Sequence, residues 1–195
     1  MVATIEDPRI TRTRAVLLEA TLTVLSRSGF AGASIDAISK ESGVARSTIY
    51  RHWPERSDLL IDSVAHALGD PSLSMVDDLR DDLVEVGTHL AELLASEPVG
   101  SVVAALILES RRDPALDEIR QRFVAQRAGL AVSAIAEAIA RGELPDDTDP
   151  MDFATEIAGP IFFRALVLHM PVDRPWVEQH VGRWLGRYDT SSEES

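Results

Sequence analysis

One stretch, Ser34 to Trp53, constrains this chain more than any other: SIDAISKESGVARSTIYRHW. Its first segment, Ile35 to Glu41, sets Ile35 and Ile38 on one side of a short helix. Ser34 is placed as an N-cap, and Asp36 in the first turn complements the helix dipole. Gly43 supplies a permissive turn position, with Val44 packing beneath it. The second segment, Arg46 to Trp53, turns Ile49 and Trp53 inward and leaves Arg46, Ser47, Thr48 and Arg51 outward. Two short helices joined by a tight turn, with a polar and partly basic outer face, form a helix-turn-helix. Its second helix can enter a DNA major groove.

The net charge of −13 works against that conclusion only as an average. Residues 1–60 carry eight Arg or Lys against seven Asp or Glu, a balance of +1, so the remainder carries −14. Between Ser42 and Pro54 there are Arg46, Arg51 and His52 and no acid. An acidic body with a locally basic head fits a protein that presents one face to phosphate. The chain has no cysteine, which excludes disulfides and thiolate chemistry. It has no uninterrupted apolar run of membrane-spanning length and no signal-peptide core at its N-terminus, so no membrane partner is expected and the cytoplasm is the natural compartment.

The stretch Ser34–Trp53 resembles the DNA-binding segment of the TetR family of transcriptional repressors. Arg14 to Phe30 is similar to that family's first helix, and Pro54 to Leu60 to its entry into the fourth. Ala45 stands where the family often has Ser or Thr, so a hydroxyl cap and any phosphate contact from it are missing. The resemblance implies an all-α chain of about nine helices. A DNA-binding domain (residues 1–54) would precede a helical regulatory and dimerisation domain (55–190) and a tail (191–195).

Chemistry and resemblance together give the expected contacts with double-stranded DNA. Arg46 is the first choice for a guanine contact, with phosphate as the alternative. Ser47 and Thr48 act only if the backbone lies close to the groove. Tyr50 and His52 match family positions that contact the DNA backbone, although Tyr50 also suits a partly buried strut. Arg51, Lys40 and Ser42 are further candidates, and Arg9, Arg12 and Arg14 near the N-terminus can reach phosphate or a minor groove.

The rest reads as helices. Ala15, Leu18, Leu22 and Leu25 give a first helix from Thr11 or Arg12 to Ser28, ended by Gly29. A fourth follows Pro54. A fifth runs from Met75 or Val76 to Leu94, its Asp77, Asp78, Asp81, Asp82 and Glu85 forming a solvated face and not a metal site. A sixth, Val99 to Ser110, is apolar on nearly all sides, and a seventh runs from Pro114 or Ala115 to Ala140. The eighth, Met151 to Met170, is interrupted at Gly159-Pro160, and the ninth spans Arg174 to Tyr188.

The last two helices resemble the family's dimer-forming pair. Phe163, Trp176, His180 and Trp184 are candidate interface residues, and completing the protomer's own core is their other reading. Phe123, Phe162 and Met170 are candidates to line a pocket for a small hydrophobic or amphipathic ligand, and each equally suits ordinary core. Arg164 can meet a carboxylate of ligand or of protein. His66, His89, His169 and His180 are scattered, with no nucleophile motif and no metal-ligand spacing, so no enzyme activity and no cofactor are expected. The expected function is a ligand-responsive homodimeric repressor of a palindromic operator. An activator, or a regulator controlled by a protein, would carry the same recognition helix.

Overall fold

The structure, a computed structural model, describes residues 8–69, 76 and 78–189. The expected N-terminal arm as far as Asp7, the side chain of Arg9, the break around Pro71 and the tail beyond Asp189 lie outside the described residues. Among the described residues every regular element is helical. In chain order they are α1 (Pro8–Gly32), α2 (Ile35–Ser42), α3 (Arg46–His52), α4 (Arg56–Leu68), α5 (Leu79–Ala95), α6 (Val99–Glu109), α7 (Pro114–Ala140), α8 (Pro150–Phe162) with a π-turn at Phe163–Val167, and α9 (Arg174–Asp189).

The chain divides into two compact units. Residues 1–69 and 97–121 form one, and residues 70–96 and 122–195 the other. The division does not fall after residue 54: α4, α6 and the first turns of α7 group with the helix-turn-helix.

In the first unit α1 packs against α2, α4 and α6. Leu17, Leu25, Ile38, Ile49, Leu59 and Leu106 are almost wholly buried there. Helix α1 begins at Pro8, earlier than expected; a proline suits the first helical position, where no N–H is needed. It breaks at Gly29 (φ 63°) and resumes to Gly32, so Gly29 marks a kink and not an end. The corner after it is held from two sides. Arg56 donates from Nε to the Ala33 carbonyl at 2.8 Å and from Nη2 to the Phe30 carbonyl, while the Phe30 N–H donates to Glu109 Oε1 at 3.4 Å. The positive φ at Gly29 favours glycine, and a Cβ there would stand 2.8 Å from that same carboxylate oxygen, which would have to shift. Helix α6 is not buried all round: Val102, Val103 and Leu106 are in the core, but Leu108 is 73% exposed.

In the second unit the core joins α5, the later turns of α7, α8 and α9 through Leu83, Ala131, Ile135, Phe153, Ile157 and Val181. Helix α5 starts at Leu79 and not at Val76, because Asp78 caps it by accepting from the Asp81 N–H at 3.0 Å. Asp82, expected in solvent, is 4% exposed and accepts the Val76 N–H at 2.7 Å, which fixes the backbone entering the helix. Helix α7 is long and apolar enough to cross a membrane by length and composition. Its Phe123, Ala131 and Ile135 are buried inside the unit.

Helix α8 does not break at Gly159-Pro160 and stays helical to Phe162. Pro160 has no N–H, so the carbonyl of Glu156 loses its usual helical donor. The ring of His180 on α9 lies near this spot, with Nε2 3.1 Å from the Ile157 carbonyl. The departure from α-geometry comes later, where the Leu168 N–H reaches the Phe163 carbonyl five residues back at 3.1 Å.

Candidate nucleic-acid interface and ligand cavity

The recognition segment is built as its spacing requires. Ser34 Oγ accepts the Ala37 N–H at 3.2 Å and caps α2, and Gly43 (φ 69°) ends it in the left-handed conformation. Two serines pin the turn. Ser39 Oγ donates to the Val44 carbonyl at 2.7 Å, and Ser42 Oγ accepts the Val44 N–H at 3.2 Å. Ser42 is therefore committed to the turn. Ala45 occupies the N-cap of α3 with no side-chain hydrogen bond.

On α3, Ile49 and Trp53 are buried, Thr48 and His52 are half-buried, and Arg46, Ser47, Tyr50 and Arg51 are exposed. Tyr50 is 49% exposed, which favours the outward role over the buried strut. His52 packs against Trp53 with ring centroids 5.8 Å apart. Arg46 Nη1 lies 2.8 Å from Asp36 Oδ1, an exposed pair between α3 and α2. Lys40 is exposed in the last turn of α2, and Arg12 is exposed on α1. Arg14 is engaged inside the unit: it pairs with Asp62 at 2.5 Å and stacks over Trp53, whose Nε1 donates to the same Asp62 oxygen at 2.8 Å. That carboxylate joins α1, the end of α3 and α4, a role not foreseen from the sequence. The interface candidates that remain together on one outward face are Arg46, Ser47, Tyr50 and Arg51, flanked by Thr48 and His52.

The second unit holds a cavity of about 230 Å³ lined by α5, α7 and α8. Leu83 and Leu90 line it from α5, Phe123 and Leu130 from α7, and Ile161 and Phe162 from α8. Two of the four expected lining residues, Phe123 and Phe162, are thus brought together. Met170 is 42% exposed and not part of the wall. Arg164 also lies elsewhere: it donates to the Pro171 carbonyl at 2.9 Å and stacks over Trp176, so its partner is backbone and ring, not a carboxylate. Arg127 and His89, absent from the expected set, are in the wall. The signal for Arg127 was its place four residues after Phe123 and four before Ala131, on one face of α7.

The aromatic residues of α9 recur every fourth position. Trp176 stacks on His180 at 5.1 Å, and Trp184 and Tyr188 both pack against Phe153, at 5.5 and 5.4 Å. His180 is 6% exposed, inside the protomer's own unit. Burial holds its pKa below the ordinary 6.5, against the upward pull of the backbone hydrogen bonds. Phe163, by contrast, is 55% exposed, and Val167, Leu168 and Met170 beside it are 60%, 48% and 42% exposed. Arg174 ties α9 to α5 through Glu85 at 3.0 Å.

Comparison with known proteins assigns the sequence to one family in two parts. Residues 17–62 match the family described as bacterial regulatory proteins, tetR family, and residues 76–183 match a tetracyclin repressor-like C-terminal domain. The HTH-type transcriptional regulator YdeS of Bacillus subtilis is 31% identical over 192 residues, 96% of each chain. An HTH-type regulator of Mycobacterium tuberculosis is 28% identical over 167 residues, 83% of this chain and 80% of its own. Among solved structures, the TetR family regulator SCO0332 is similar at 27% identity with a TM-score of 0.61, over 90% of this chain and 97% of that one.

Proposed function

The chain belongs to the TetR family of transcriptional regulators, and from that premise we propose that it is a homodimeric, ligand-responsive repressor. It binds a palindromic operator and is released by a small-molecule inducer. The observation that carries the proposal is the presence in one chain of an outward α3 face and an apolar cavity, with α7 running from the unit that holds the first into the unit that holds the second.

Arg46, Ser47, Tyr50 and Arg51 supply base and phosphate contacts, with Thr48 and His52 at the edges. One seven-residue helix covers few base pairs, so two copies related by a twofold axis read two half-sites. The exposed apolar group Phe163, Val167, Leu168 and Met170 supports a dimer seam at the end of α8, with Trp176 of α9 tied to it through Arg164. Coupling runs through α7. Its Leu116 and Ile119 are buried in the first unit, and one turn later Phe123 lines the cavity in the second. A ligand that fits the cavity better in one position of α7 shifts the population toward that position, and the two heads then leave the half-site spacing. The protein acts where the DNA is, in the cytoplasm.

Transcription in vitro from a promoter carrying a selected binding site tests this reading. Repression by the protein, relieved by a compound that occupies the cavity, supports it. Activation, or repression that no cavity ligand relieves, favours an activator or a protein-controlled regulator.

A further inference from the structure

We propose that the first unit carries a second ligand site, a groove between α1, α4, α6 and α7 that takes an organic monoanion with an apolar body. The groove has a volume of about 870 Å³ and lies wholly within that unit. Its size falls inside the ~300–1,000 Å³ of small-molecule sites. Phe30, Leu60, Leu116 and Ile119, all buried, line it, and Leu108 at the end of α6 adds an apolar side chain that is 73% exposed. Arg56, Arg111 and Arg112 share the wall with Glu109 and Asp113, a formal balance of +1 in a chain of net charge −13.

The partners of those charges narrow the class. Both acids are turned to backbone donors. Glu109 Oε1 accepts the Phe30 N–H at 3.4 Å, and Asp113 Oδ1 accepts the Ala115 N–H at 2.9 Å at the start of α7. Arg56 donates to the Ala33 and Phe30 carbonyls, neutral acceptors that leave its charge in place. Arg111 and Arg112, in the turn between α6 and α7, are exposed, and neither side chain makes a hydrogen bond or ion pair among the described residues. Two neighbouring guanidiniums thus stand without a carboxylate in a chain where acids outnumber bases, 32 to 19. A guanidinium pairs well with a carboxylate, and the excess of positive charge repels a cation. A phosphate monoester at about −1.5 to −2 exceeds the local balance. A single carboxylate head meets Arg111 and Arg112 while its apolar body covers Leu108. Exposed ion pairs are weak singly, so the body supplies most of the affinity and the two arginines supply the preference for an anion. The site requires neither the α5/α7/α8 cavity nor an inducer, so it stands apart from the sensor reading.

The test uses the full chain with decanoate and decanol, titrated by calorimetry at low salt. Decanoate binds the wild type. Arg111→Gln with Arg112→Gln weakens decanoate about tenfold and leaves decanol unchanged, since two exposed pairs together reach that factor. The loss shrinks as salt is added. Leu108→Gln weakens both probes. Arg80→Gln with Arg183→Gln removes the same charge from exposed positions of the second unit and leaves decanoate binding as it was. Circular dichroism confirms that each variant is folded. No binding of decanoate, undiminished binding in the Arg111 and Arg112 variant, an equal loss for decanol, or an equal loss in the Arg80 and Arg183 variant overturns the proposal.

Discussion

Arg46 faces a choice between Asp36 and DNA, and magnitudes decide it. An exposed ion pair contributes about 0.2–1 kcal/mol, whereas a bidentate guanine contact discriminates by about 1–3 kcal/mol, so the guanidinium leaves Asp36 when a guanine is in reach. Arg46→Ala therefore lowers the preference for the selected site over scrambled DNA by about 1–3 kcal/mol, measured by anisotropy titration, with oligomeric state unchanged. Asp36→Asn removes both the competing partner and a charge that repels phosphate; DNA affinity rises, and the gain shrinks as salt is added. Gly29→Ala meets both a positive φ and the Glu109 oxygen, and costs at least about 1 kcal/mol in thermal unfolding. Residues fixed by helical spacing were readable in advance: Ser34 as a cap, and Ile38, Ile49 and Trp53 as core. Arg14, Ser42 and Arg164 were not. Each is long or polar enough to serve several partners, and the tertiary approach of Asp62, the Val44 N–H and the Pro171 carbonyl chose among them.

At the scale of elements, α2, α3, α6 and α7 follow from periodicity, with the Ser34 cap marking the start of α2. The errors fall where backbone groups are satisfied from a distance. Asp78 and Asp82 move the start of α5, and neither differs in sequence from the solvated acids around it. Pro160 suggested a kink or a local break in the ladder, but α8 stays helical to Phe162, and His180 from another helix lies against the Ile157 carbonyl. This arrangement has a pH signature. His180 is held neutral by burial, so its folded pKa lies below the unfolded value of 6.5. The unfolded chain then binds the proton first, and the stability contribution, complete above 6.5, is lost as pH falls from there toward the folded pKa. Denaturant midpoints measured between about pH 7 and pH 5.5 decline for the wild type, with a slope of at most about 1.4 kcal/mol per pH unit from this one group. His180→Gln flattens the decline and lowers stability at neutral pH.

For the whole molecule, the fold class and the DNA-reading head were legible because helical spacing and one turn encode them locally. The cavity was only half legible. Its wall is assembled from three helices distant in sequence, and Arg127 sits within a helix whose two ends belong to different units. The proposed seam is legible only as an excess of exposed apolar surface. Helix α9 gives Val177 and Val181 to the protomer's core, so removing it would unfold the unit rather than separate the protomers. The cleaner variant is Phe163→Asp with Val167→Asp on the exposed π-turn. Light scattering then reports a monomer with helical content intact, and binding to a selected site falls by at least about tenfold because each head is left with one half-site.

The central claim is that two α3 helices related by symmetry read DNA. Selection of sites from random double-stranded DNA tests it most directly. The account predicts an enriched inverted repeat whose half-sites share a guanine position that Arg46→Ala no longer distinguishes. Recovery of no common sequence, or of a single half-site without its inverted copy, would contradict it.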